Sequence, residues 1–166
     1  VVENVILDEE KLGQGWFATE VGTRGKLFRW TSAQWSLEGI RRDSGRPYLL
    51  CTIESNFPAP TERITVLADE RPVAEWVLVH GQGCYAVAVP ESIEQLRFRL
   101  SSPLPPELKH NDPRVLGVKV YSIRFSTRAE FQKQIPSRES NRRLNDAEFW
   151  AGKAELRSYP QKLGVD

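Results

Sequence analysis

Side chains that commonly carry catalysis are few in this sequence. His80 and His110 are the only histidines, and the chain contains no Gly-x-Ser-x-Gly turn, no phosphate-cradling glycine loop and no His-Glu-x-x-His element. A hydrolase that uses two carboxylates remains an alternative, because such residues need only be neighbours in space. The acidic residues available for such a pair are Glu20, Glu38, Glu54, Glu75 and Asp112.

The two cysteines, Cys51 and Cys84, lie in strand-like segments without the spacing of metal ligands. We interpret them as reduced core thiols, with a disulfide as the alternative. We predict no metal and no cofactor, and we expect a cytoplasmic protein.

Aromatic side chains are the more suggestive group. An exposed aromatic face on a rigid sheet can hold a sugar ring by stacking, while nearby Asp, Asn or Arg side chains bind the hydroxyls. The alternative is that these large rings fill the core of a small domain. The aromatic residues on or beside predicted strands are Trp16, Phe17, Trp30, Trp35, Tyr48, Trp76, Tyr85 and Tyr121.

The loop His110-Asn111-Asp112-Pro113-Arg114 combines polar and turn-forming residues immediately before a strand. Asp112 can accept backbone N–H bonds in an Asx-type turn, Asn111 tolerates positive φ, and Pro113 fixes the approach to the strand. Arg114 can pair with Asp112 or with a distant carboxylate such as Glu20. These residues therefore fix a turn, or they contact a sugar or a cation at one end of the domain.

A period of two dominates from about Trp16 to Phe125, which is typical of half-buried strands. Short turns without long helical patterns between them favour an all-β, antiparallel β-sandwich that is jelly-roll-like, with about eight strands. The predicted strands are KLFRWT, AQWSLEG, PYLLCTIES, ERITVLAD, AEWVLVHG, CYAVAVP, QLRFRLS and GVKVYSIRF.

Two of these strands indicate which side chains should face the core and which should face solvent. In LRFRL the three apolar side chains share one face and Arg97 and Arg99 share the other. In VKVYSIRF the alternation slips, because Ile123 and Phe125 fall on the face of Lys119. A β-bulge or a second buried face would explain that slip.

The overall composition limits the function. The chain has 166 residues, 40% of them hydrophobic and 27% charged, with a formal net charge of +1. This near-neutral charge disfavours nucleic acid as a partner, and no apolar run is long enough for a membrane span. The sequence contains no methionine, even at position 1, and we interpret it as a segment of a longer protein; removal of the initiator residue before Val1 is the alternative explanation of the start, but not of the absence elsewhere.

We predict an N-terminal lead-in over residues 1–12, a β-sandwich module over 13–126 and a partly helical linker over 127–166. The linker is rich in charge, and a helix is expected after a cap near Ser137 or at Asn145-Asp146, ending at Gly152.

The motifs GWFATE, FRWT, ITVLAD followed by a turn and AEWVL, and HNDPRVLGVKVYSIRF resemble a family of β-sandwich modules attached to bacterial glycosyltransferases, methyltransferases and related enzymes of surface-polysaccharide synthesis. These modules look like carbohydrate-binding jelly rolls. The chain departs from the family at Asp69-Glu70-Arg71, where glycine is more usual. Residues that match the family pattern are Trp16, Glu20, Arg29, Trp30, Asn111, Asp112, Arg114, Leu116 and Gly117.

The tail AELRSYPQKLGVD more weakly resembles the lead-in to the first barrel strand of radical S-adenosylmethionine enzymes. The cysteine cluster motif of those enzymes is absent from this sequence, so the resemblance implies no iron–sulfur ligand among these residues. It implies that an enzyme of this kind neighbours the module in the full chain.

The resemblance implies a non-catalytic accessory module that binds a glycan or glycoconjugate, or that positions a neighbouring catalytic domain of the same chain. In this interpretation Trp16 or Trp30 stacks on a sugar ring. Polar contacts then come from Glu20, Arg29, Asn111, Asp112 and Arg114. The alternative is a docking domain that serves a radical S-adenosylmethionine enzyme or a glycosyltransferase without binding sugar.

Overall fold

A computed structural model of the chain describes residues 4–41, 45–58, 62–90 and 93–130, together with the backbone of 153–157 and 161–164. Two antiparallel sheets face each other, and the described residues contain almost no helix. The predicted all-β sandwich is confirmed. Its strands are β1 (Trp16–Val21), β2 (Leu27–Thr31), β3 (Gln34–Glu38), β4 (Tyr48–Ser55), β5 (Arg63–Ala68), β6 (Arg71–Val77), β7 (Gly81–Ala88), β8 (Gln95–Leu100) and β9 (Lys119–Ser126).

The strand order shows that successive strands mostly alternate between the two sheets. One sheet has the order β1-β2-β9-β4-β7 and the other has β3-β8-β5-β6. Only the β1–β2 and β5–β6 connections stay within a sheet, and the other connections among the nine strands cross the sandwich. Repeated crossing between two sheets is the jelly-roll-like arrangement that the short strands and turns predicted.

All eight predicted strands are present, and β1 is the strand that the sequence patterns missed. β6 starts at Arg71 instead of Ala74 and so includes Pro72. Because β6 is the outermost strand of its sheet, the missing N–H of Pro72 can face away from the neighbouring strand. β7 likewise starts at Gly81 instead of Cys84.

The hairpin between β5 and β6 turns through Asp69 and Glu70, which both have positive φ (47° and 70°). Glycine is the usual residue in such a turn, since side chains are strained there. Here the two side chains form specific bonds. The Asp69 carboxylate accepts hydrogen bonds from the backbone N–H groups of Glu94 and Gln95 at 3.0 and 2.9 Å. Glu70 forms a bidentate ion pair with Arg97. These bonds offset the strain of the turn.

Large aromatic side chains fill the space between the sheets. Trp35 stacks on Phe98 with ring centroids 5.6 Å apart, and Trp76 lies against Phe98 and Tyr85. Leu96, Phe98 and Leu100 are buried while Arg97 and Arg99 are only half-buried, so the predicted split in β8 is confirmed.

Two tryptophans connect the sheets along both sides of the sandwich. The Trp16 indole N–H in β1 donates to the Ser36 carbonyl of β3 at 2.8 Å. The Trp76 indole N–H in β6 donates to the Ala86 carbonyl of β7 at 3.0 Å. Since all four strands are outermost in their sheets, these bonds occupy carbonyls on strands that lack one neighbour.

A bulge in β9 explains the broken alternation of VKVYSIRF. The register against β4 shifts between the pairs Ile53↔Val120 and Thr52↔Ser122, so Tyr121 is an extra residue. Beyond it Ile123 returns to the core, where it is 1% exposed, and Lys119 stays on the outer face.

A helix begins at Arg128 and its first turn is capped. The Glu130 N–H donates to the Thr127 hydroxyl at 3.1 Å, and the Thr127 N–H donates to the Glu130 carboxylate at 2.8 Å. This is a capping box, which the sequence pattern Thr-x-x-Glu could have indicated. The helix predicted near 137–152 lies outside the described residues. In the C-terminal region, a hairpin pairs β10 (Lys153–Arg157) with β11 (Gln161–Gly164).

In the described part of the chain, no helix has the length and apolar character needed to cross a membrane.

Candidate functional site

Three charged side chains from two distant parts of the sequence meet at the end of β1. Arg114 donates from Nε and Nη2 to the Asp112 carboxylate at 3.0 and 2.7 Å, and from Nη1 to Glu20 at 2.9 Å. The Arg114 guanidinium carbon lies 5.0 Å from the centre of the Phe17 ring. The two pairings that the sequence offered as alternatives therefore exist together. We call Glu20, Asp112, Arg114 and Phe17 the Arg114 cluster.

The Arg114 cluster is neither in the core nor fully solvated. Exposure of the Glu20, Asp112 and Arg114 side chains is 37%, 24% and 32%. Among the described residues, three of the five N–H donors of Arg114 have hydrogen-bond partners, which leaves two without one. The remaining carboxylate lone pairs are acceptors. Such a mixture of fixed donors and acceptors suits adjacent hydroxyl groups.

The turn beside this cluster is held by its own side chains. The Asp112 carboxylate accepts the Arg114 N–H at 3.0 Å, which is the Asx-type turn expected from the sequence. His110 and Asn111 both have positive φ, at 53° and 68°, and both are exposed. Lys109 donates to the Arg114 carbonyl at 2.6 Å. Asn111 is therefore an exposed residue that directly precedes Asp112 in this turn.

Hydrogen bonds between members of the cluster shift the pKa values of Asp112 and Arg114 so that both groups stay charged. The Arg114 side-chain hydrogen bonds, followed by its backbone N–H, lower the pKa of Asp112 to about 2. The hydrogen bonds that Arg114 donates to Asp112, and to a smaller extent the one that it donates to Glu20, raise the pKa of Arg114. Counted with Lys109, two cations face two carboxylates, so the site is nearly neutral and suits an uncharged polar ligand.

Replacing Asp112 with asparagine should weaken the acid sensitivity of the protein. The pKa of Asp112 is lower in the folded state than the ordinary value near 4, so its ionised form stabilises the fold above about pH 4. That contribution is lost as the pH falls toward 2. Urea unfolding of both proteins between pH 5 and 2 should show the wild-type advantage over Asp112→Asn shrinking with decreasing pH. A constant difference would contradict this role.

Three other predicted contact residues take no part in the ion pairs of the Arg114 cluster. The Trp16 indole is bound to Ser36, as described above. Arg29 is 7% exposed and donates to the carbonyls of Ile6 and Phe17. Trp30 is 9% exposed, and the Lys119 ammonium covers its ring at 5.3 Å. All three side chains thus have packing or bridging contacts within the protein, and their role in ligand binding stays a prediction.

Of the five carboxylates considered for hydrolysis, Glu20 and Asp112 are brought to one shared partner, Arg114. A general acid needs a raised pKa, whereas the pKa of Asp112 is lowered. Asp112 is therefore not suited to be the general acid of such a pair.

The Asp112 carboxylate is occupied by Arg114, and the described residues contain no group of three or more His, Cys, Asp or Glu placed to hold a metal ion. Cys51 and Cys84 are free thiols, and burial raises the pKa of Cys51 well above its usual range.

Phe17 is the member of the cluster that the sequence-based site omitted. It belongs to the Gly-Trp-aromatic opening of the motif GWFATE, so the pattern itself contained the signal. What the pattern lacked was the shift in the β1–β2 register between Trp16 and Thr19, which affects the position of this ring.

Fold and site together define an antiparallel β-sandwich with a fixed, polar, half-exposed cluster at one edge strand. No protein-family model matches the chain, and a search of curated proteins finds no match either. Among solved structures, the chain is similar to one of the M60 catalytic domain with the CBM51-1 and CBM51-2 domains from Clostridium perfringens ZmpB, with 11% identity and a TM-score of 0.44 over 76% of this chain. It is also similar to the CBM51-2 and INT domains of the same protein, with 10% identity and a TM-score of 0.37 over 78% of this chain. The chain covers 15% and 32% of those two structures.

Proposed function

We propose that this chain is a non-catalytic accessory module that binds carbohydrate and so positions a neighbouring catalytic domain on a glycan-type substrate. The observation that carries the proposal is the Arg114 cluster, in which Glu20, Asp112 and Arg114 converge beside Phe17 at partial exposure. The contacts are Glu20, Asp112 and Arg114, with Asn111 directly before Asp112.

The chemistry of this cluster supports a neutral sugar as the ligand. Fixed carboxylate acceptors and guanidinium donors match vicinal hydroxyls, and mutual pairing means that few of their bonds must be rearranged on binding. The side chains of the site are about one-quarter to one-third exposed, so a single sugar unit buries little area there and should bind weakly.

The resemblance of the sequence motifs to modules of surface-polysaccharide enzymes supports a catalytic neighbour that acts on such polymers. The resemblance of the tail to a radical S-adenosylmethionine lead-in stays a prediction about that neighbour.

Asn111→Gly is the sharpest variant for testing this site. Glycine accepts the positive φ of position 111, so the turn persists while the amide is lost. We expect the affinity for a neutral glycan to fall about two- to tenfold, the range of one neutral hydrogen bond. Binding is measured by titrating a glycan panel into the isotope-labelled chain and following the backbone amide shifts of residues 17–20 and 109–114.

His110→Gly is the matched control, because His110 is also exposed with positive φ and has no proposed contact. Its affinity should equal that of the wild type. A panel that shifts none of these amides would contradict the proposal and favour a docking domain without sugar binding. Equal losses in both variants would assign the effect to the turn instead of to Asn111.

A further inference from the structure

A second polar cleft lies on the outer face of the five-stranded sheet, between β4 and β9. It has a volume of about 400 Å³, which is within the range of small-molecule sites. We call it the β4–β9 cleft. The residues that line it are Leu50, Thr52, Ser122, Arg124, Phe125, Ser126 and Glu130.

The cleft follows from strand register. In the β4–β9 ladder Thr52 is opposite Ser122, Leu50 is opposite Arg124 and Tyr48 is opposite Ser126, so these side chains share one face. The bulge at Tyr121 places Ser122, Arg124 and Ser126 together on this outer face. An alternating row of a hydroxyl, a guanidinium and a second hydroxyl therefore runs along β9.

One hydroxyl in the cleft lacks a hydrogen-bond partner in the described structure, and another has only a weak one. The Ser126 hydroxyl is buried without a hydrogen-bond partner in the described structure, although the residue is only 3% exposed. Buried polar atoms are nearly always bonded, so an unbonded one at a cleft suggests a missing partner. The Thr52 hydroxyl has a weak contact to the Cys84 sulfur at 3.8 Å.

The cleft contains one cationic side chain, Arg124, and one anionic side chain, Glu130. Arg124 is exposed, and within the described ranges no ion pair or hydrogen bond engages its side chain. The Glu130 carboxylate is the opposing charge, but it accepts the Thr127 N–H and pairs with Arg46 at 3.4 Å. These contacts, with the Thr127 N–H first, lower the pKa of Glu130 and keep it ionised and engaged. Arg124 is thus the unmatched charge.

From this arrangement we infer that the β4–β9 cleft is a second sugar-binding site, specific for a uronic acid unit. The carboxylate of the sugar pairs with Arg124, its hydroxyls bond to Thr52, Ser122 and Ser126, and its C–H face lies on Leu50. The inference rests on the proposed function for the class of ligand. The Arg114 cluster, with balanced charge, serves a neutral sugar instead.

The experiment titrates glucuronate, glucose and acetate separately into the isotope-labelled full chain. Glucuronate should shift the amides of Ser122, Arg124 and Ser126, while glucose and acetate at equal concentration should not. Arg124→Gln should weaken glucuronate binding about tenfold or more, since it removes a charge-assisted pair. Arg99→Gln, an arginine on the outer face of the other sheet, is the matched control and should bind as the wild type does.

Ser126→Ala separates binding from folding. Because the hydroxyl is buried without a partner, its removal should leave thermal stability equal or higher, while glucuronate affinity falls. Equal shifts with acetate, or an Arg124→Gln variant that binds normally, would overturn the inference.

Binding at the two sites can be distinguished by which backbone amides shift. Neutral glycans that shift only residues 17–20 and 109–114, with no cleft response to glucuronate, would overturn the cleft and leave the proposed function standing. A response at the cleft without any response at the Arg114 cluster would support the cleft and contradict the proposed neutral-sugar site.

Discussion

Trp76→Ala should lower the free energy of unfolding by about 3–5 kcal/mol, the range for truncating a buried tryptophan. Its side chain is 0% exposed and packs against Tyr85 and Phe98 with ring centroids 5.6 and 5.8 Å away. The substitution opens a cavity between the sheets and leaves the Ala86 carbonyl without its indole donor. Urea unfolding followed by circular dichroism measures the loss.

Trp76→Phe provides a variant that should still fold. It keeps an aromatic ring beside Tyr85 and removes the bond to Ala86, so the expected loss is about 1–2 kcal/mol. Trp16→Phe removes the equivalent inter-sheet bond at the half-buried opposite side and should cost about 1 kcal/mol. If Trp76→Ala cost less than 1 kcal/mol, the tryptophan would not connect the sheets as described.

Arg29→Ala should cost about 3 kcal/mol of stability without a direct effect on sugar contacts. Its guanidinium donates to the Ile6 carbonyl at 2.8 Å and to the Phe17 carbonyl at 3.0 Å, and each buried carbonyl left unpaired costs roughly 1–3 kcal/mol. The ion pair with Glu9 adds little, because that carboxylate is 82% exposed. Arg29 therefore anchors the N-terminal segment and the β1 bulge to the sheet.

Arg63→Ala is the matched control for Arg29. Arg63 also pairs with a glutamate, at 2.9 Å, but its side chain is 57% exposed. Loss of such a surface pair should cost at most about 1 kcal/mol. Arg29→Ala with wild-type stability and lost glycan binding would instead restore the ligand role that the family resemblance implies.

The strands were predictable because the alternation of apolar and polar residues within each strand indicates which of its faces is buried. The alternation in LRFRL specifies which side is buried whatever the partner strand, and β8 has the predicted burial pattern. The sequence patterns missed β1 for two reasons. Its register against β2 shifts after Trp16, and its side chains are mostly exposed or half-buried, so the two-residue alternation of buried and exposed side chains is interrupted. The two-residue length of the turn at Asp69-Glu70 was not predictable from the sequence. This strained turn is supported by side-chain bonds to Gln95 and Arg97, and the sequence alone does not show those bonds.

The candidate site was predicted in part. Asp112 and Arg114 are two residues apart, so their pairing is a local property that the sequence contains. Glu20 was one of several eligible carboxylates, and its selection depends on β1 lying beside the loop that precedes β9. Trp30 and Arg29 matched a family pattern equally well, but burial, which no local pattern reports, removed them from the surface.

The sequence by itself determined the all-β class, the inward and outward faces of most strands and the Asx-type turn at Asp112, because each depends on residues within a few positions of one another. The tertiary structure alone decided that Glu20 joins Arg114 across 94 residues of chain, that Lys119 covers Trp30 and that Ser122, Arg124 and Ser126 line a cleft with Leu50 and Thr52. These contacts depend on strand order and on a bulge of one residue. Both arise from the packing of the whole sandwich, so no short stretch of sequence specifies them.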